Sequence, residues 1–455
     1  MSAYKYFNNQ FKATSLKQIY HNHIESNTAV GLDKIGRDKF RQECDNHIEI
    51  INRKVHNNTY NFTPYKKKLI SKGENKNPRV ISIPTFRDRI TLRAICNILA
   101  AVYKDLLNIE IPQIKIESIN KNIKKKKYDK YIKIDVSNFY PSINHETLLK
   151  ILKRKIRKPE LIDLINKAIK NTTVTKAKNE KDEENKSGVP QGLSISNILA
   201  EIYLLDIDNK YKQNKKIFYT RYVDDILMFC KEKDCDKIFD DIKNDFQKTN
   251  LGIHELNKKN SKCQSGDIND ELHYLGYKYK NRKSTIIENN KQKFEDSIAN
   301  LLTTFKYKYD QATKPDAKNS SIDVLEWRLN LRITGCIFEG KKRGWMFYFS
   351  QIEDLTPIYS IDQTITKLVT RVCPKSIHIK KLIKTYHETK RLKVNSHKYI
   401  TNFDILSVAD KRKILTRYLG YKRLSKVDDE TINKYFGMRI THIIQELEQD
   451  IGDIS

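Results

Sequence analysis

The sequence predicts an α+β fold, with short strands that carry acidic and basic residues set among longer helices, and three observations lead to it. Strand-like apolar runs come in pairs, at 63–84 and again at 216–229. Helical spacing fills much of the rest, as at Ile90, Ala94, Ile95, Ile98, Leu99 and Val102. Beyond residue 351 the chain reads as mainly helical. At 455 residues it is long enough for two or three domains. The division expected is 1–125, 126–305 and 306–455, with the polar segment 306–321, containing Pro315 and Asn319-Ser320-Ser321, as the boundary before the C-terminal part.

The elements follow in order. Residues 1 to 60 read as helices broken at Val30-Gly31-Leu32-Asp33. Thr63–Ile70 and Arg79–Pro84 form a basic hairpin around Lys72–Pro78; its tip either reaches over phosphates or simply carries solvated lysines. Asp88 to Tyr103 is an amphipathic helix. The run 121–133 is strongly basic, with Tyr128 and Tyr131 beside Lys124–Lys127, a mixture suited to a nucleic-acid backbone or to a solvated loop. Ile132, Ile134 and Val136 then share one face of a strand, so Asp135 emerges on the other.

Residues 145–172 make one or two amphipathic helices, and the charged stretch 176–187 has almost nothing to bury and reads as an exposed loop. Next comes Ser187-Gly188-Val189-Pro190-Gln191-Gly192, a tight turn that enters a helix with Ser194 as its expected cap. Such a loop presents backbone N–H groups and one amide, which suits phosphate or base contact as well as a plain helix start. In the hairpin Lys216–Phe229, two apolar runs flank Asp224-Asp225, and no turn-forming residue stands between them. Taken alone, that tip is either a metal site or a surface turn. Cys235–Asn250 reads as a helix and His273–Tyr279 as part of a second hairpin; a basic turn, Gly340–Gly344, separates Leu325–Phe338 from Gly344–Gln351.

Composition narrows the partner. The formal charge is +30, from 86 Lys and Arg against 56 Asp and Glu, spread along the chain. A positive field of that size favours a polyanion, and no long apolar run points to a membrane. Seven scattered cysteines without a C-x-x-C pair disfavour a zinc module and a disulfide framework and suit a reducing compartment. The N-terminus lacks the apolar stretch of a secretory signal, so the cytoplasm is the expected location.

Set side by side, these segments resemble the reverse transcriptases, in that family's motif order. Asp135-Val136-Ser137-Asn138-Phe139-Tyr140 is similar to its first acidic motif, Val189–Asn197 to its nucleotide and template loop, and Tyr222-Val223-Asp224-Asp225 to its catalytic hairpin. Leu275-Gly276-Tyr277 resembles its primer grip, and Arg79–Pro84 with Arg87-Asp88-Arg89 the fingers motif of group II intron and other bacterial enzymes. The resemblance implies a right-hand palm and fingers with a mainly helical, thumb-like C-terminal extension. It implies nucleotidyl transfer by two Mg2+ ions about 4 Å apart, with Mn2+ as the alternative. Asp135, Asp224 and Asp225 would be catalytic; those three and the Val136 carbonyl would hold the metals. Tyr140 would abut the sugar, Gln191 the incoming nucleotide, and Arg79 and Lys72 its phosphates.

The implied partners are an RNA template or noncoding RNA, a DNA product, dNTPs and, as a further expectation, a second copy of the chain. Asn260 stands where a lysine is usual after the catalytic hairpin, so Lys259 and Lys262 compete for the role of general acid. Trp327–Gln351 resembles the extension of defence-associated, abortive-infection reverse transcriptases, which implies antiphage DNA synthesis. A template-independent or protein-primed polymerase, and an inactive nucleic-acid-binding module, are the alternatives.

Overall fold

The computed structural model describes residues 2–71, 77–107, 110–175, 184–258, 261–391 and 399–451. Lys72, most of the charged loop 176–187, Lys259 and Asn260 lie outside the described residues. The chain packs as two units, one made of 1–109 with 127–266 and the other of 110–126 with 267–455.

In the first unit the N-terminal helices, among them Ala3–Gln10, Ala13–Ile19 and Cys44–His56, bury Phe7, Phe11, Leu16, Ile48 and Ile51 in one core with the helix Phe86–Val102. Each such side chain contributes roughly 1.5–3 kcal/mol on leaving water. Thr85 caps that long helix by accepting from the Asp88 N–H at 3.2 Å. The buried Asp88 carboxylate in turn accepts from the Tyr60 hydroxyl at 2.7 Å, the Thr63 N–H at 3.1 Å and the Thr85 hydroxyl at 2.7 Å, so a charge that burial disfavours is fully bonded.

Among the described residues seven strands follow. β1 (Tyr65–Ile70) and β2 (Arg79–Ile83) pair antiparallel as the expected hairpin, with Ile70 opposite Arg79. β3 is Lys130–Asp135, and β4 (Thr173–Val174) joins β1 in parallel. β5 (Phe218–Tyr222), β6 (Asp225–Cys230) and β7 (Gln264–Asp267) complete a four-stranded sheet in the order β5-β6-β3-β7. Ile132, Ile134, Ile226 and Met228 are wholly buried and share a core with Phe239, Ile242 and Phe246 of the helix Cys235–Lys248. Central strand β6 is buried along its whole length, which fixes its register.

The second unit holds β8 (Leu272–Tyr274), β9 (Tyr277–Lys280) and β10 (Lys283–Ile286), an antiparallel set, followed by β11 (Cys336–Phe338), β12 (Lys341–Arg343) and β13 (Thr401–Asn402). The helix Pro112–Ile123 belongs here: Asn120 Nδ2 donates to the Gln351 carbonyl at 2.8 Å, and Arg282 donates to the Ile123 carbonyl at 3.2 Å. The polar segment 306–321 holds the adjoining ends of two helices, Glu288–Gln311 and Pro315–Thr334, that pack on each other. One expectation is corrected. The helix after the glycine loop starts at Ser196 with Ile195 before it, so Ser194 is not its cap. Among the described residues no helix is long and apolar enough to cross a membrane.

Candidate active site

The acids converge because two strands put them there. Asp135 ends β3 directly opposite Asp225, which begins β6, and Asp224 sits in the two-residue turn between β5 and β6. The Val136 N–H donates to the Asp224 carbonyl at 3.2 Å, tying the turn to the end of β3. Val223, the other turn residue, has φ 57°, a left-handed conformation that a β-branched side chain adopts only under constraint.

The constraint is Arg221. Its guanidinium donates to the Val223 carbonyl at 2.6 Å, to Asp208 at 2.9 and 2.6 Å, and to Glu201 at 2.7 and 3.2 Å. Tyr219 adds a hydroxyl bond to Asp208 at 2.7 Å. The Arg221 side chain is only 2% exposed. Burial alone would raise the Asp208 carboxyl, but Arg221 more than offsets that and holds it below the usual range. A planar five-donor fork is needed to bind two carboxylates and a carbonyl at once.

Electrostatically the tip is an acid cluster waiting for positive charge. Burial pushes Asp225 up to about 7; Lys133, 3.8 Å away, opposes the shift, while Asp135 and Asp224 add to it. Asp224 is raised as well, first by burial and then by Asp135. Asp135 is more open, and Lys262 Nζ lies 3.1 and 3.3 Å from its two oxygens, with His254 Nε2 at 3.8 Å. Among the described residues no three His, Cys, Asp or Glu side chains form a ready metal cage. The carboxylates of Asp135, Asp224 and Asp225 are the donor type that magnesium favours, since it is commonly held by one or two carboxylates together with substrate phosphates. The donors are hard oxygens, and an ammonium already stands against Asp135 as a cation does.

The surrounding groups are placed by backbone. After β3, Asn138 turns left-handed (φ 46°) and starts the short helix Phe139–Ser142, which carries Tyr140. Tyr140 is half-buried, donates to Asn197 Oδ1 at 3.5 Å, and is pushed up to about 12 by burial, with the Asp224 charge adding to it. The glycine loop is sewn between this segment and β2. The Val189 N–H donates to the Tyr140 carbonyl at 2.9 Å, and the Gln191 carbonyl accepts from the Ser82 N–H at 2.7 Å. At Gly192 (φ 99°) a Cβ would lie 2.8 Å from Ile81 and 2.9 Å from the Ser82 carbonyl, so only glycine allows β2 this close. His145 Nε2 donates to the Gly188 carbonyl at 2.6 Å, and burial lowers that imidazole's affinity for a second proton.

Arg79 is exposed at the start of β2, and its charge acts on both Asp224 and Tyr140. One unit therefore brings together Arg79, Asp135, Val136, Tyr140, Gln191, Asp224, Asp225 and Lys262. Leu275 and Gly276 lie in the other unit. They form the β8–β9 turn, with φ 48° and 75°; Tyr348 donates to the Leu275 carbonyl at 3.0 Å and Asn290 to the Gly276 carbonyl at 3.2 Å. Sequence reasoning missed Arg221, Asp208, Glu201 and His145. The available signal was an arginine inside an apolar strand, which must find buried partners.

The sequence profile of the family described as reverse transcriptase (RNA-dependent DNA polymerase) matches residues 42–279, more than half of the chain. The group II intron-encoded protein LtrA of Lactococcus lactis subsp. cremoris is 29% identical over 177 residues, covering 38% of this chain and 29% of the relative. An uncharacterized 91 kDa protein in the cob intron of Schizosaccharomyces pombe is 28% identical over 209 residues, 44% of this chain and 25% of the relative. The matched segments thus span under a third of those relatives. Among solved structures, apo telomerase from Candida tropicalis aligns with a TM-score of 0.42 at 15% identity, over 90% of this chain and 88% of that one.

Proposed function

The chain belongs to the reverse transcriptase (RNA-dependent DNA polymerase) family, and from that premise we propose that it is an RNA-directed DNA polymerase extending a primer with deoxynucleoside triphosphates. The observation that carries the reading is Asp135 facing Asp225 across paired strands, with Asp224 in the adjoining turn. Asp135, Asp224 and the Val136 carbonyl would hold two Mg2+ ions, or Mn2+, with Asp225 assisting. Bound there, the metals supply activation of the primer 3′-hydroxyl and neutralisation of the triphosphate.

The chain's own groups do the rest. Arg221 holds the turn so that Asp224 and Asp225 stay on the edge facing Asp135. Arg79, and Lys72 with it, binds the triphosphate; Gln191 positions the nucleotide from a loop stitched to β2; Tyr140 closes on the sugar. Lys262, whose Nζ lies against Asp135, would give its proton to the leaving pyrophosphate. Leu275 and Gly276 serve as the primer grip. Primer extension on an RNA template in Mg2+ tests the core of the proposal. Asp224→Asn should lower incorporation by at least about 10²-fold, and unchanged incorporation would remove the hairpin from the mechanism.

The biological setting proposed is antiphage DNA synthesis in the cytoplasm, templated by a noncoding RNA. Its support is the resemblance of Trp327–Gln351 to the defence-associated extension. Sequencing the nucleic acid that copurifies with the protein tests it, because a heterogeneous cellular mixture in place of one defined RNA and its DNA copy would count against it.

A further inference from the structure

The second unit contains a cleft of about 960 Å³, lined by none of the residues given a part in nucleotidyl transfer above. One wall is a face of the helix Pro315–Thr334, which presents Asp323, Glu326 and Trp327. The opposite wall is a face of the helix Val408–Leu419, which presents Arg412, Lys413 and Arg417. Leu331 and Leu424 supply apolar surface between them.

Only part of the charge lining this cleft is neutralised there. Arg412 is satisfied within the lining, donating to the Leu424 carbonyl at 2.6 Å and to Asp429 at 2.9 Å. Among the described residues Lys413 and Arg417 make no side-chain ion pair, and neither does Asp323; Glu326 accepts a backbone N–H from His378 at 3.4 Å. Trp327 is half-buried and braced on one side by Tyr418, edge-on at 5.7 Å, and by Phe403 at 6.4 Å. Lys380, also in the lining, donates to the Tyr399 carbonyl at 2.7 Å. Beside these satisfied groups the cleft offers a braced aromatic ring, the cations Lys413 and Arg417, and the carboxylates Asp323 and Glu326.

That combination selects by exclusion. A purely apolar ligand would use the ring and the leucines but leave Lys413, Arg417, Asp323 and Glu326 without partners as it displaced their water. A bare anion would meet Asp323 and Glu326 as well as the cations. A ligand with an anionic end, a flat ring and hydroxyl or amino donors satisfies every wall, and the volume lies in the range that such ligands occupy. We propose that the cleft binds a mononucleotide, with its phosphate on Lys413 and Arg417, its base against Trp327, and its ribose or base donors on Asp323 and Glu326. This is a nucleotide site separate from the polymerase centre, and it does not depend on the chain being an active polymerase.

The chain's two tryptophans make the test direct. Trp345 is 1% exposed and stacked on Phe294 at 4.5 Å, so quenching by an added ligand reports on Trp327. The full-length protein is titrated with dATP, dGTP, ATP and GTP in EDTA, with intrinsic fluorescence as the readout. Saturable quenching is expected, weakened at least tenfold in the Lys413→Ala/Arg417→Ala double variant and absent with inorganic phosphate alone. If the double variant loses its thermal transition, Lys413→Glu at its exposed position serves instead. Equilibrium dialysis of labelled dATP into Trp327→Phe gives a second reading, expected to show weakened binding without the optical signal. No saturation by millimolar nucleotide, or quenching that ignores the Lys413 and Arg417 changes, overturns the proposal. So does a response confined to oligonucleotides, which would assign the cleft to a nucleic-acid strand.

Discussion

Asp225 is the residue whose chemistry is most exposed to experiment. Its folded pKa of about 7 lies above the ordinary carboxylate value of 3.8, so the folded state binds a proton there that the unfolded chain releases. Without metal the associated stability is present below pH 4 and is lost as pH rises through 7, a swing of roughly 4 kcal/mol. Melting in EDTA should therefore show a midpoint that falls between pH 4 and 7. In Asp225→Asn that dependence should largely vanish, and a parallel decline in the variant would place its origin elsewhere. Tyr140 makes a second prediction. Removing its ring in Tyr140→Ala should let ribonucleotides into the product, raising their incorporation relative to deoxynucleotides by roughly 10- to 100-fold. Competition between labelled ATP and dATP on one template measures it, and unchanged selectivity would take Tyr140 off the sugar.

Among the elements, the β5–β6 hairpin depends on a network outside its own sequence. Arg221→Lys keeps the charge but cannot reach Asp208, Glu201 and the Val223 carbonyl together. Extension should slow by roughly 10²-fold, as misplacement of about 1 Å does, while the protein remains folded. Arg221→Gln strands Asp208 in the interior and should cost about 3–5 kcal/mol of stability in chemical denaturation. Equal effects on rate and stability in both variants would make Arg221 a packing residue only. Gly192→Ala tests the loop: its Cβ would press on β2 at 2.8 Å and should raise the KM for nucleotide more than it lowers affinity for template.

These two elements also show what sequence could reveal. The strand pairs and the helix over residues 86–102 were legible because each repeats at its own period, and Asp135, Asp224 and Asp225 were legible because motif spacing survives without knowledge of the fold. Arg221 was visible, but its partners were not, since Asp208 and Glu201 arrive from helices preceding the hairpin. The order β5-β6-β3-β7 was hidden for a related reason: β3 sits between strands far along the chain, and pairing at that separation leaves no local signature. The helix Pro112–Ile123 escaped notice because its isoleucines lie in a lysine- and asparagine-rich run that reads as surface.

For the molecule as a whole, a charge of +30 makes nucleic-acid affinity a matter of ionic strength. Binding of an RNA–DNA duplex should weaken by about 10³-fold or more between 50 and 200 mM salt if six or more phosphates are contacted. A flat salt response in filter binding would rule out backbone charge as the main source of affinity. The path of the chain carries a different consequence. Residues 110–126 leave the first unit, complete the second with the helix Pro112–Ile123, and return before β3 begins. A gene broken after residue 266 would give neither half a whole unit: the upstream piece would carry a helix with nothing to rest on, and the downstream piece would lack one it needs. The two units are therefore expected to be inherited together, and recombination that exchanges the C-terminal part alone should leave few viable descendants.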